Sequence, residues 1–66
     1  MNIIVNGQPQ DAALDTTVAG LLAELGLGEK YVAVEVNREL VPRQQHALHR
    51  LAAGDCVEIV TLVGGG

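Results

Sequence analysis

The sequence has 66 residues, of which 48% are hydrophobic and 18% are charged, and its formal net charge at pH 7 is −4. This length allows one domain, and so small a chain has few side chains to spare for an enclosed active site. The composition excludes a disordered chain. The four basic residues are spread along the sequence and only one residue is aromatic. A nucleic-acid partner is therefore not expected, because a phosphate backbone attracts clustered Lys and Arg.

The cysteine content and the amino-terminal segment indicate the cellular compartment of the protein. The single cysteine, Cys56, cannot form an internal disulfide, which argues against a disulfide-stapled secreted scaffold. The first residues carry no basic start and only three adjacent apolar side chains, unlike a signal peptide. No stretch approaches the roughly 20 apolar residues that a membrane helix needs. We expect a cytoplasmic protein with no membrane partner.

The chain begins with a predicted β-hairpin. Residues 1–5 are rich in β-branched side chains and stop at Asn6-Gly7, a turn dipeptide in which both residues tolerate positive φ. Residues 8–13 can return as a second strand. Pro9 favours an edge position for that strand, because proline has no N–H to donate to a neighbour.

A helix is predicted after the hairpin. Its start is indicated by three adjacent N-cap residues, and Gly26 is placed to end it in the left-handed conformation. The N-cap candidates are Asp15, Thr16 and Thr17. The apolar side chains recur at i, i+3, i+4 and i+7, as on one helical face. They are Val18, Leu21, Leu22 and Leu25.

The second half of the chain predicts further strands. Residues 32–36 alternate at the strand period, and residues 39–41 form a short strand that Pro42 ends. The sequence predicts no definite structure for residues 43–51. Residues 56–63 form the last strand, before three terminal glycines.

These elements predict a two-layer α+β domain over residues 1–63. A mixed sheet of four to five strands carries one main helix on one face, and the helical crossover suits parallel pairing of the first and last strands. This is the β-grasp arrangement of ubiquitin-like proteins. The predicted core consists of Ile3, Val5, Val18, Leu21, Leu22, Leu25, Val34, Val36, Val57 and Ile59.

The last strand should present different residues on its two faces. Glu58 is unfavourable to bury unpaired, so Val57 and Ile59 should face the helix. The same alternation places three apolar side chains on the opposite face, where an exposed cluster often marks a docking surface. In the alternative, residues 43–51 fold over this cluster and make it a minor core. The predicted docking face is Ile4, Val60 and Leu62.

The sequence ends in a glycine tail, residues 64–66. Glycine contributes no side chain to a core and loses the most entropy when ordered, so these residues do not serve the fold. A bare, flexible backbone can instead thread a narrow channel in a partner's active site. Gly64 and Gly65 are the candidate threading residues, and the terminal carboxylate of Gly66 is the candidate reacting group. The alternative is a frayed terminus, which glycines also form.

The whole chain resembles the ThiS family, the prokaryotic ubiquitin-like sulfur carriers of thiamine biosynthesis. The resemblance rests on the short length, the opening residues 1–7, the stretch V-E-V-N-R-E-L-V-P-R at residues 34–43, and Gly54-Asp55 before the last strand and glycines. The family's pattern needs only Gly65 and Gly66, so Gly64 is an extra glycine.

The resemblance implies a mechanism in which other proteins act on Gly66. An adenylating enzyme uses ATP to convert the carboxylate to an acyl adenylate. A persulfide from a cysteine desulfurase then supplies sulfur, leaving a thiocarboxylate that donates sulfur to thiazole synthase. The chain itself would be a carrier with no bound cofactor and no catalytic residue.

Two other interpretations remain open. The small subunit of molybdopterin synthase shares the tail chemistry but serves a different acceptor. A β-grasp interaction module without carrier function is the second. An enzyme is disfavoured, because the sequence shows no nucleophile–base pair or metal cluster.

The cysteine and the two histidines are not expected to be functional residues. No cation neighbours Cys56 in the sequence, so we interpret its thiol as a small hydrophobic group packed at the start of the last strand. His46 and His49 could share a helical face, but two histidines without a further ligand are a weak metal signal. No metal site is predicted.

Overall fold

The computed structural model describes residues 1–28 and 31–62. Within these ranges the chain forms a five-stranded sheet, an α-helix and a short 3₁₀ helix. Their bounds are β1 Asn2–Val5, β2 Gln8–Asp11, α1 Val18–Glu24, β3 Val32–Val36, β4 Glu39–Val41, the 3₁₀ helix Arg43–Gln45, and β5 Cys56–Thr61.

The strands lie in the order β2-β1-β5-β3-β4. The central strand β5 runs parallel to β1, with Val5 opposite Val57, and antiparallel to β3. The other neighbours, β1 with β2 and β3 with β4, are antiparallel. The predicted parallel pairing of the first and last strands is confirmed, and β2, which contains Pro9, lies at an edge as expected.

The start of α1 is held by side-chain and backbone acceptors. Thr17 is the N-cap, and its Oγ1 accepts from the N–H group of Gly20 at 3.0 Å. The carbonyls of His49 and His46 accept from the N–H groups of the first and second helical residues at 3.0 and 2.9 Å. Residues 43–51 thus satisfy donors that every helix leaves unpaired at its start, which places this segment on the helix side of the sheet.

The end of α1 corrects one predicted core residue. Gly26 has φ +73° and donates to the carbonyl of Ala23 at 3.1 Å, while Leu27 donates to the carbonyl of Leu22 at 2.9 Å. This pair of bonds is a Schellman motif, which reverses the chain so that the residue after the glycine packs back on the helix. Leu27 accordingly packs against the core, whereas Leu25, predicted to be buried, is the C-cap and is 37% exposed.

The core lies between α1 and one face of the sheet. Apart from Leu25, every predicted core side chain is buried. Four further side chains are also buried. The sequence did not indicate them, because they do not belong to one helical or strand pattern. They are Ala12, Val41, Leu51 and His46. In the described ranges, no helix is both long enough and apolar enough to cross a membrane.

Candidate functional site

The face of the sheet away from α1 is uncovered. We call it the open face. Strand alternation predicts that Ile4, Val60 and Leu62 lie on this side, and they are 39%, 58% and 52% exposed. The alternative in which residues 43–51 cover them is wrong, because that segment bonds to the start of α1 instead. The outward-pointing residues of the open face are Asn2, Ile4, Pro9, Asp11, Ala33, Glu35, Leu40, Cys56, Glu58, Val60 and Leu62.

The strand register divides the predicted docking face into two parts. Ile4 lies opposite Cys56, whereas Val60 lies opposite Ala33 on β3. Val60 is four positions after Cys56 along the strand, a distance of about 13 Å. The expected continuous patch is therefore wrong in one respect: Ile4 shares the face but does not adjoin the other two residues. We call Ala33, Val60 and Leu62 the tail-side patch.

The tail-side patch lies where β5 leads towards the glycines. The N–H group of Leu62 donates to the carbonyl of Tyr31 at 2.6 Å, which continues the pairing with the β3 side past the end of β5. Gly64, Gly65 and Gly66 lie outside the described residues, and their use as threading and reacting residues stays a prediction. The apolar patch is the folded surface that immediately precedes them.

Asn6 fixes β5 in a way that sequence reasoning missed. Its side-chain Oδ1 accepts from the N–H group of Ile59 at 2.8 Å, and its Nδ2 donates to the carbonyl of Ile59 at 3.3 Å. Because β1 ends at Val5, this amide replaces the next backbone unit of the parallel ladder. The positive φ of Asn6, 50°, confirms its predicted turn conformation. The Asn-Gly dipeptide indicated the turn but not the bond to a distant strand.

Asn37 fixes the start of β5. Its Oδ1 accepts from the N–H group of Cys56 at 3.0 Å, and its Nδ2 donates to Oδ1 of Asp55 at 3.0 Å. Its own backbone N–H donates to the carbonyl of Cys56 at 2.8 Å. The other oxygen of Asp55 accepts from the N–H of Ala52 at 2.8 Å. The Val-Asn and Gly-Asp motifs on which the family resemblance rests therefore have a structural role, which is to hold the start of β5.

The charged residues of the open face are acidic. Glu35 on β3 and Glu58 on β5 are direct Cα partners, and both are exposed. The one ion pair in the part of the chain that the structure describes joins the amino group of Met1 to Asp11 at 3.1 Å. Leu40, on β4, lies opposite Glu35 on the other side and is 64% exposed. The open face thus combines apolar and acidic side chains.

Cys56 differs from its predicted environment. The thiol of Cys56 is exposed on the open face, so the interpretation of this residue as a packed hydrophobic group is wrong. It lies in a shallow depression that also includes Ile4 and Glu58. Its position at the start of β5 places it on the outward side, the same side as Glu58.

His46 is part of the core and does not form a ligand pair with His49. It is 1% exposed, and its Nε2 lies 3.0 Å from the carbonyl oxygen of Val41. Because a carbonyl oxygen only accepts, Nε2 carries the proton in this contact. The helical face that the two histidines could have shared does not form, since the 3₁₀ helix covers only residues 43–45. Among the described residues, no three His, Cys, Asp or Glu side chains are grouped to hold a metal ion.

Comparison with known proteins gives one family. The sequence model described as the ThiS family matches residues 3–66. The sulfur carrier protein ThiS of Escherichia coli is 33% identical over 66 residues, which cover both chains in full. The thiazole synthase of Paramagnetospirillum magneticum is 41% identical over 66 residues, and this chain spans only 20% of its length.

A solved structure agrees with the fold. The crystal structure of the thiamine biosynthesis protein ThiS from Geobacter metallireducens matches with a TM-score of 0.84 and 36% sequence identity. Both chains are covered in full. This likeness confirms the predicted β-grasp fold.

Proposed function

The chain belongs to the ThiS family, the sulfur carriers of thiamine biosynthesis, and we propose that it carries sulfur as a thiocarboxylate at Gly66. The observation that carries this proposal is that β5, held at its start by Asn37 and at Ile59 by Asn6, precedes the glycine tail in the chain. Residues 63–66 can extend about 14 Å at most beyond Leu62. That reach would let the carboxylate enter a partner's active site while the folded domain stays outside.

The proposed chemistry follows from the weak reactivity of a carboxylate. On a partner adenylating enzyme, the Gly66 carboxylate attacks the α-phosphorus of ATP, pyrophosphate leaves, and AMP becomes the leaving group on the acyl carbon. The terminal sulfur of a persulfide, supplied by a cysteine desulfurase, then displaces AMP to form an acyl disulfide. Reduction of that S–S bond by a thiol leaves the thiocarboxylate.

Thiazole synthase is the proposed acceptor of the sulfur. In this scheme the chain supplies the acyl group and a surface to be recognised, while its partners supply the catalysis and ATP is their substrate. The need for ATP and free thiols places the proposed reactions in the cytoplasm. The likeness to a thiazole synthase and to a thiamine biosynthesis protein supports this acceptor over molybdopterin synthase and over a plain interaction module.

The mass of the intact protein tests the reacting atom. After incubation with ATP, the cognate adenylating enzyme and a persulfide donor, the mass should rise by the exchange of one oxygen for sulfur. A variant lacking Gly65 and Gly66 should show no ATP–pyrophosphate exchange at an almost unchanged Tm, because terminal glycines bury little surface. Exchange by the truncated protein would contradict the assignment to Gly66.

Cys56→Ser is the control for sulfur at the wrong atom, because the Cys56 thiol is exposed. This variant should accept the same modification as the wild-type protein. A persulfide on Cys56 would add a whole sulfur atom and be lost on treatment with a thiol, whereas a thiocarboxylate has no S–S bond to exchange. An adduct that a thiol removes and that Cys56→Ser abolishes, without modification at Gly66, would refute the proposal.

The proposed docking face uses the tail-side patch, with Ile4 as a separate contact. Leu62→Asp should weaken binding to the adenylating enzyme or thiazole synthase by about tenfold or more, because the new carboxylate must lose water without gaining a partner. Leu14→Asp is the matched control, since Leu14 is 78% exposed in the β2–α1 connection. Equal weakening by both variants, or unfolding of Leu62→Asp, would contradict a docking role.

A further inference from the structure

The five strands carry charge of one sign only. Every ionisable Asp, Glu, Lys, Arg or His side chain within the bounds of β1 to β5 is a carboxylate. The described arginines lie outside the strands: Arg38 in the β3–β4 turn and Arg43 and Arg50 in the segment that holds the start of α1. The sheet therefore presents a negative surface with no basic side chain of its own strands to balance it. The strand carboxylates are Asp11, Glu35, Glu39 and Glu58.

Two of these carboxylates face each other across neighbouring strands at the centre of the open face. Glu35 and Glu58 are direct partners across β3 and β5, where Cβ atoms are about 4.5–5.5 Å apart. Like charges in this arrangement destabilise a sheet. Neither residue forms an ion pair in the described part of the chain. A cation from outside would therefore meet two adjacent carboxylates that no described side chain neutralises.

Apolar side chains border this acidic pair on two sides. Leu40 lies beside Glu35 across β4, and Val60 follows Glu58 on the same face of β5; they are 64% and 58% exposed. A partner that covers these side chains would exclude water around the carboxylates. Exclusion of water strengthens attraction between opposite charges. The face therefore suits a surface with a cation at its centre and apolar groups around it.

We propose that the open face docks on thiazole synthase, with an Arg or Lys of the synthase between Glu35 and Glu58 and apolar groups against Leu40 and Val60. This rests on the proposed function. The choice of thiazole synthase is supported by the relative in Paramagnetospirillum magneticum, since a region similar to this chain is part of that polypeptide. The planar guanidinium group of an Arg can donate hydrogen bonds to two carboxylates at once. Such a contact has a defined geometry in addition to its opposite charge.

The rate of association tests the proposal. The variant Glu35→Gln with Glu58→Gln should associate with the cognate thiazole synthase about tenfold more slowly than the wild-type chain at low ionic strength. The difference should shrink as salt is raised, because salt screens the attraction that speeds encounter. The matched control is Glu24→Gln, at the end of α1 in the other layer of the fold, which should leave the rate within about twofold.

A thermal melt separates a docking effect from damage to the fold. The double variant should melt at the same or a higher temperature than the wild type, because the repulsion between the two carboxylates is gone. The proposal would be overturned if the double variant associated as fast as Glu24→Gln, or if salt did not reduce the difference in association rate. Failure of the wild-type chain to bind the synthase would also overturn it.

The mass measurement on Gly66 distinguishes a failure of the acidic contact from a failure of the proposed carrier function. Thiocarboxylate formation on the double variant together with an unchanged association rate would reject the acidic contact and leave the carrier function standing. Failure of the wild-type chain to gain sulfur at Gly66 would instead reject the carrier function itself.

Discussion

The sheet presents one face to α1 and the other to solvent, and β5 contributes to both. Val57 is 1% exposed on the covered face, while Val60, the same residue type three positions later, is 58% exposed on the open face. The strand side chains that are buried on the covered face are Val and Ile, and the open face mixes apolar and acidic side chains. A strand's two-residue period thus lets the last strand contribute to the core and to a recognition surface at once.

The largest expected effect comes from the helix that covers the sheet. Leu22→Ala should lower the free energy of unfolding by about 2–5 kcal/mol, because the side chain is 1% exposed and its loss leaves a cavity. Leu14→Ala, the same change at a residue 78% exposed, should alter it by about 0.5 kcal/mol or less. Denaturant titration measures both. A loss below about 1 kcal/mol for Leu22→Ala would mean that α1 contributes little to the covered face.

A smaller effect should distinguish the two faces within β5. Val57→Ala should destabilise by about 2–3 kcal/mol, from lost burial and the remaining cavity. Val60→Ala should cost less than about 1 kcal/mol, which is the range of strand propensity. If thermal or denaturant unfolding showed equal losses of stability for Val57→Ala and Val60→Ala, the open face would be covered in solution, for example by a second copy of the chain.

The smallest expected effect is a gain in stability. Glu58→Gln should raise the free energy of unfolding by about 0.2–1 kcal/mol at low salt, since it removes the repulsion with Glu35. Glu39→Gln is the control, because Glu39 lies opposite Val36 and not opposite a carboxylate. Melts at low and high salt should show the gain declining as salt screens it. A lower stability for Glu58→Gln would mean that this carboxylate has a stabilising partner.

Local chemistry in the sequence determined the elements and their faces. The N-cap residue Thr17, the left-handed Gly26 and the turn at Asn6-Gly7 were predictable, because each depends on the preferences of a few adjacent residues. The alternation around Glu58 likewise predicted which side of β5 is buried. The sequence also indicated the family, through motifs that the structure shows to hold β5 in place.

Only the tertiary structure decided which distant residues meet. The β1–β5 register separated Ile4 from Val60, and the pairing of β3 with β5 set Glu35 opposite Glu58. The burial of His46 also depends on how residues 43–51 pack beside the start of α1. A local pattern specifies which way a side chain points, but the strand opposite it depends on register and packing between segments far apart in the chain, which the two-residue period does not encode.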